Sequence, residues 1–93
     1  MKKNIVKKEG IKLTINNEKA KLYNPYNLME LKLNRTGILI WKMLDIYNTK
    51  EKIVKKIIIL YRIVNEGKIQ EVKKDIKLVI KKFINYGFCY YEN

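Results

Sequence analysis

Ninety-three residues, 47% apolar and 32% charged, describe one globular domain with a single modest core. The formal net charge of +12 directs attention to an anionic partner: nucleic acid, an anionic membrane surface or an acidic peptide. One cysteine and no histidine exclude an internal disulfide, the multi-cysteine metal clusters and the commonest general base, and no segment nears the roughly 18 apolar residues of a membrane span. The expectation is a cytoplasmic protein with no membrane, metal or cofactor partner. Lys, Ile, Asn and Tyr supply 51 of the 93 residues, and A/T-rich codons specify all four. Charge alone is therefore weak evidence, and the placement of the lysines has to carry the argument.

Residues 1–9 are mostly polar and read as a flexible basic tail, leaving 10–93 as a single domain. From Gly10 the pattern alternates, with Ile11, Leu13 and Ile15 on one side and Lys12, Thr14 and Asn16 on the other, the period of a half-buried strand. "NNEK" at 16–19 supplies a turn, Ala20 to Tyr23 a returning strand, and "NPYN" at 24–27 a second turn. Met29, Leu31 and Leu33 then alternate with Glu30 and Lys32. Residues 11–33 thus form a three-stranded antiparallel β-meander.

Asn34 stops the third strand and caps a helix over about 35–46 that is apolar nearly all round and holds the only tryptophan, Trp41. Asn48 or Thr49 caps a second helix, with Ile53, Ile57, Leu60 and Tyr61 on one face, and "NEGK" at 65–68 breaks it. The third helix, about 69–86, gathers Ile69, Val72, Ile76, Val79, Ile80 and Phe83 within an arc of ~100° at ~100° per residue. Gly87 ends it in the left-handed conformation, and Phe88 to Tyr91 reads as a short final strand or a tail. The fold class is α+β, winged-helix-like.

Catalysis finds little support. The acids of the folded region stand singly, Cys89 has no histidine to activate it, and the four glycines are too far apart for a phosphate loop. The chain reads as a non-enzyme. A small basic winged-helix nucleic-acid binder is the alternative, because Lys73, Lys74, Lys77 and Lys81 share one side of the third helix. Against it, that helix holds no arginine to read guanine in two-pronged fashion, and the chain has only Arg35 and Arg62. Two features suit a peptide instead. Leu78 stands alone among Lys74, Lys81 and Asn85, and a three-stranded meander leaves a terminal strand with a free edge at 28–33.

The ordered set "LNRTGILIWKMLD", "NTKEKIVKKI" and "VKKDIKLVIKKFINYGF" resembles the PqqD-like family, the recognition elements for leader peptides of ribosomally made, post-translationally modified peptides. The resemblance rests on Leu33, Asn34, Thr36, Gly37, Ile40, Trp41, Asp45, Thr49, Ile53, Val54, Asp75, Ile76, Phe83 and Gly87, and spans about 28–91. Asp45-Ile46-Tyr47-Asn48 departs from the Asp-Gly that many members carry. It implies three strands and three helices without chemistry of their own. A precursor's leader would add a strand to the third strand beside the third helix, for delivery to a radical S-adenosylmethionine enzyme, a leader protease or a cyclase. The implied binding residues are Leu28, Met29, Glu30, Leu31, Lys32 and Leu33 with Lys74, Leu78, Lys81 and Lys82, on a monomer or weak dimer.

Overall fold

The computed structural model describes residues 3–17 and 19–92. Eight elements follow in order: β1 (Asn4–Lys7), β2 (Lys12–Asn16), β3 (Lys19–Tyr23), β4 (Glu30–Leu33), α1 (Arg35–Met43), α2 (Lys50–Leu60), α3 (Glu66–Asn85) and β5 (Cys89–Glu92). Strands β2, β3 and β4 form the expected antiparallel meander in that spatial order. Cross-strand rows Leu13–Leu22–Leu31 and Ile15–Ala20–Leu33 lie on its inner face, and Lys12–Tyr23–Glu30 and Thr14–Lys21–Lys32 on its outer face. Glu18, in the "NNEK" turn, lies outside the described residues, as do residues 1, 2 and 93.

The expected tail is corrected by the structure. Residues 4–7 are strand β1, paired antiparallel with β5 from Asn4↔Glu92 to Lys7↔Cys89. Ile5 is buried, which an isolated look at "NIVKK" between lysines does not reveal. Its amide donates to the Asn48 carbonyl (2.7 Å), so the ribbon is tied to the α1–α2 loop as well.

Asparagine side chains set the helix starts. The Asn34 Oδ1 accepts from the Gly37 amide at 2.8 Å and the Asn65 Oδ1 from Lys68 at 3.1 Å, while Thr49, not Asn48, caps α2. Helix α1 closes three residues early because the Asp45 and Ile46 amides turn to carbonyls three residues back and tighten its last turn. "NEGK" does not break α2. That helix ends at Leu60, Arg62 takes a left-handed backbone (φ 51°), and Asn65 opens α3. Leu60 and Tyr61 consequently fall past the last packed turn and are exposed, so α2 buries Ile53, Val54 and Ile57 instead.

Helix α3 turns Ile76, Ile80 and Phe83 into the core, flanked by half-buried Ile69, Val72 and Val79. Its end is a Schellman cap: Phe88 N donates to Phe83 O (2.8 Å), Gly87 N donates to Ile84 O (3.0 Å), and Gly87 sits at φ 77°. Trp41 meets Phe83 edge to face at 5.4 Å, and Phe83 touches Phe88. One apolar cluster joins the inner meander face, all three helices and the ribbon.

Candidate functional site

Strand β4 is an edge strand, and its register decides what the edge offers. The Asn24 amide donates to the Met29 carbonyl at 2.9 Å. Antiparallel ladders alternate, so Leu22/Leu31 and Ala20/Leu33 are the next bonded pairs. The main-chain groups of Glu30 and Lys32 therefore point away from β3. They present two N–H donors and two C=O acceptors to whatever lies alongside.

Beside that edge runs a cleft of about 390 Å³ between β4 and α3. Leu31, Lys32 and Leu33 line one side, Val79, Lys82 and Phe83 the other, and Asn34 and Gly37 close the end. A Cβ on Gly37 would come within 3.2 Å of Leu33 Cδ2, so the glycine lets the cap of α1 sit directly against the strand.

Two asparagines hold this geometry. Both turn amides are bonded locally, Asn24 Oδ1 accepting from Tyr26 N and Asn27 Oδ1 from Met29 N, each at 2.9 Å. Their Nδ2 groups donate across to the cap of α3, Asn24 to Gly87 O (2.9 Å) and Asn27 to Tyr86 O (3.1 Å). A Cβ on Gly87 would approach both Nδ2 atoms to 2.9 Å, so the glycine serves the cap and the tether together. The sequence marks "NPYN" as a turn. That it also clamps the strand entry to the helix end has no local signal.

Of the ten binding residues expected from sequence, Leu31, Lys32, Leu33 and Lys82 converge on the cleft. Glu30 sits on the outer face, bonded to Lys21 Nζ at 3.0 Å. Leu28 precedes the strand with φ 64° and, like Met29, is exposed at the mouth of the loop. Lys74, Leu78 and Lys81 are exposed on the outer side of α3 and do not line the cleft. The edge of α3 that faces β4 is the one bearing Val79, Lys82 and Phe83. Val79 and Phe83 were read from the sequence as core; Phe83 is fully buried and Val79 half-buried, and both also border the cleft.

Electrostatically, Lys21 and Lys32 are directly opposed across β3 and β4. Lys21 leans to Glu30, and Lys32 has no carboxylate within salt-bridge distance among the described residues. An acidic side chain on an added strand opposite Lys32 would relieve that like-charge pair. The thiol of Cys89 offers no nucleophile. Burial pushes it up to about 12 despite the opposing pull of Lys7, so it stays protonated near neutral pH.

A solved structure described as TbiB1 in complex with the TbiA(beta) leader peptide shares this fold. Its TM-score is 0.72 and its sequence identity 18%, covering 90% of this chain and 93% of that chain. No family model matches the chain, and no curated protein matches it.

Proposed function

We propose that this chain is a PqqD-like, non-catalytic module that captures the leader of a ribosomally made precursor peptide as a strand added to β4. It then delivers the precursor to a modifying enzyme, of the radical S-adenosylmethionine, leader-protease or cyclase kind. The observation that carries the reading is the open edge of β4 beside an apolar cleft. The fold shared with TbiB1, a protein solved with a leader peptide bound, supports it.

Four main-chain bonds at about 0.5–1.5 kcal/mol net give roughly 2–6 kcal/mol. Micromolar affinity needs about 8. Two buried aliphatic side chains at about 1.5–3 kcal/mol each would supply most of the remainder. Leader residues opposite Leu31 and Leu33 point to the inner face and can enter the cleft, whereas the residue between them faces Lys32. The favoured segment is apolar–acidic–apolar.

The test is Lys32→Pro. Its amide points to the open edge, so proline removes one docking donor without taking a bond from the β3–β4 ladder. Proline at Leu31 would break the sheet itself. Labelled synthetic leaders from short open reading frames beside the gene should bind wild type. The variant should bind them at least about tenfold more weakly, a loss of about 1.4 kcal/mol, with its melting behaviour retained. Undiminished binding by a folded Lys32→Pro variant would rule out strand addition. Failure of every neighbouring leader to bind wild type below about 100 μM, weaker than ~5.5 kcal/mol, would rule out the leader reading.

A further inference from the structure

A second concavity, of about 520 Å³, opens between α2 and the N-terminal half of α3. Val54, Ile58 and Ile69 form its floor, one buried and two half-buried. Lys50, Lys55, Lys73 and Lys77 stand around it, with Glu51 the single acid. The spacing explains the arrangement. Positions 51, 54, 55 and 58 recur at i, i+3, i+4 and i+7 on α2, and 69, 73 and 77 at i, i+4 and i+8 on α3, so each helix turns one mixed stripe toward the other.

We propose that this groove docks an acidic amphipathic helix of a partner protein. Three observations point to that occupant. First, none of the four rim lysines has a carboxylate within 4 Å among the described residues, where the ion pairs are Lys7–Asp45 and Lys21–Glu30. A ring of uncompensated cations is complementary to an acidic ligand. Second, the floor is aliphatic, which a phosphate backbone cannot use but an apolar helix face can. Third, both walls are helices whose main-chain groups, apart from the first-turn amides of α2, are bonded within themselves, so an extended peptide finds no ladder to join. A helix brings its own main-chain bonds and needs none from the walls.

The groove is separate from the β4 cleft and does not depend on the leader reading. Helix α3 shows Ile69, Lys73 and Lys77 here, but Val79, Lys82 and Phe83 to β4, a set centred about 130° around the helix and about two turns further along. Both surfaces can be filled at once. A module built this way holds one peptide as a strand and a second protein as a helix.

The test uses the full chain and a synthetic helical peptide of about 16 residues with Leu at i, i+3/i+4 and i+7 and Glu elsewhere. A twin with Lys in place of Glu and a short random-sequence DNA duplex serve as the other arms. Expected is binding of the acidic peptide with Kd on the order of 10–100 μM, weakening with salt. Methyl resonances of Val54, Ile58 and Ile69 should shift. K73E/K77E should weaken it at least about tenfold, while the equal-charge control K12E/K42E, on exposed lysines elsewhere, should not. The proposal falls if both peptides bind alike, if the shifts map to the β4 cleft, if the control loses as much as K73E/K77E, or if only the duplex binds the groove.

Discussion

The meander β2–β3–β4 and the ribbon β1–β5 are both antiparallel and both reach the core, yet they are held in different ways. The meander is local: each strand follows its partner through a short turn, and along the strands Leu, Ile and Ala face inward while Lys, Thr, Tyr and Glu face outward. The ribbon joins the two ends of the chain and depends on helices that fold between them. It contributes Ile5 and Cys89 to the cluster and lays Lys7 over the Trp41 ring at 4.2 Å, where its Nζ also meets Asp45 at 2.9 Å. Local pairing leaves β4 with an edge that can accept another strand. The terminal pairing is tied to α1 and the loop after it through Lys7 and the Ile5 amide.

The largest expected effect compares the two through matched core deletions. Leu22→Ala in the meander and Ile5→Ala in the ribbon remove side chains that are 0% and 3% exposed. Each should cost about 2–5 kcal/mol in urea unfolding. A loss below about 1 kcal/mol for Ile5→Ala alone would reduce the ribbon to an accessory.

Next in size is Asn24→Ala, which cuts the tie between the β3–β4 turn and the α3 cap. Asn24 is buried, and its loss strands the Gly87 carbonyl. The expected cost is about 1–3 kcal/mol. Where β4 docks a leader as proposed, the affinity should fall with it, since β4 would no longer be fixed against α3. Unchanged affinity in a destabilised variant would show that the cleft does not need the clamp.

The smallest effect belongs to the ribbon and to alkaline pH. The unfolded thiol of Cys89 loses its proton near pH 9, whereas the folded one retains it to about 12. Stability from this group is therefore complete below pH 9 and lost as pH rises toward 12, by about 1.4 kcal/mol per pH unit. Denaturation at pH 8 and pH 10 should show a drop in wild type exceeding that in Cys89→Ala by roughly this amount. Equal drops would mean that the ribbon opens to solvent before the fold is lost.

Much of the fold was legible because its signals are short in range. Asn34 as cap, the alternation of 11–33, the apolar arc of α3 and the left-handed Gly87 each depend on neighbours within one or two turns. The misreadings have the opposite character. "NIVKK" became a strand only because β5 pairs with it, and Leu60 and Tyr61 left the core because α2 stops before completing their turn. "NEGK" contains both a breaker and a cap, and the cap prevailed because the chain had already turned at Arg62.

The candidate cleft divides along the same line. Sequence alone determined that 30–33 is a terminal strand of a meander and that α3 is a long basic helix with one apolar arc, since periodicity fixes which side chains share a face. It could not say which flank of α3 meets that strand, because an arc ~100° wide leaves two flanks with the same claim. Packing decided it. The Asn24 and Asn27 bonds to the α3 cap and the close approach at Gly37 bring Val79, Lys82 and Phe83 to β4 and leave Lys74, Leu78 and Lys81 facing outward.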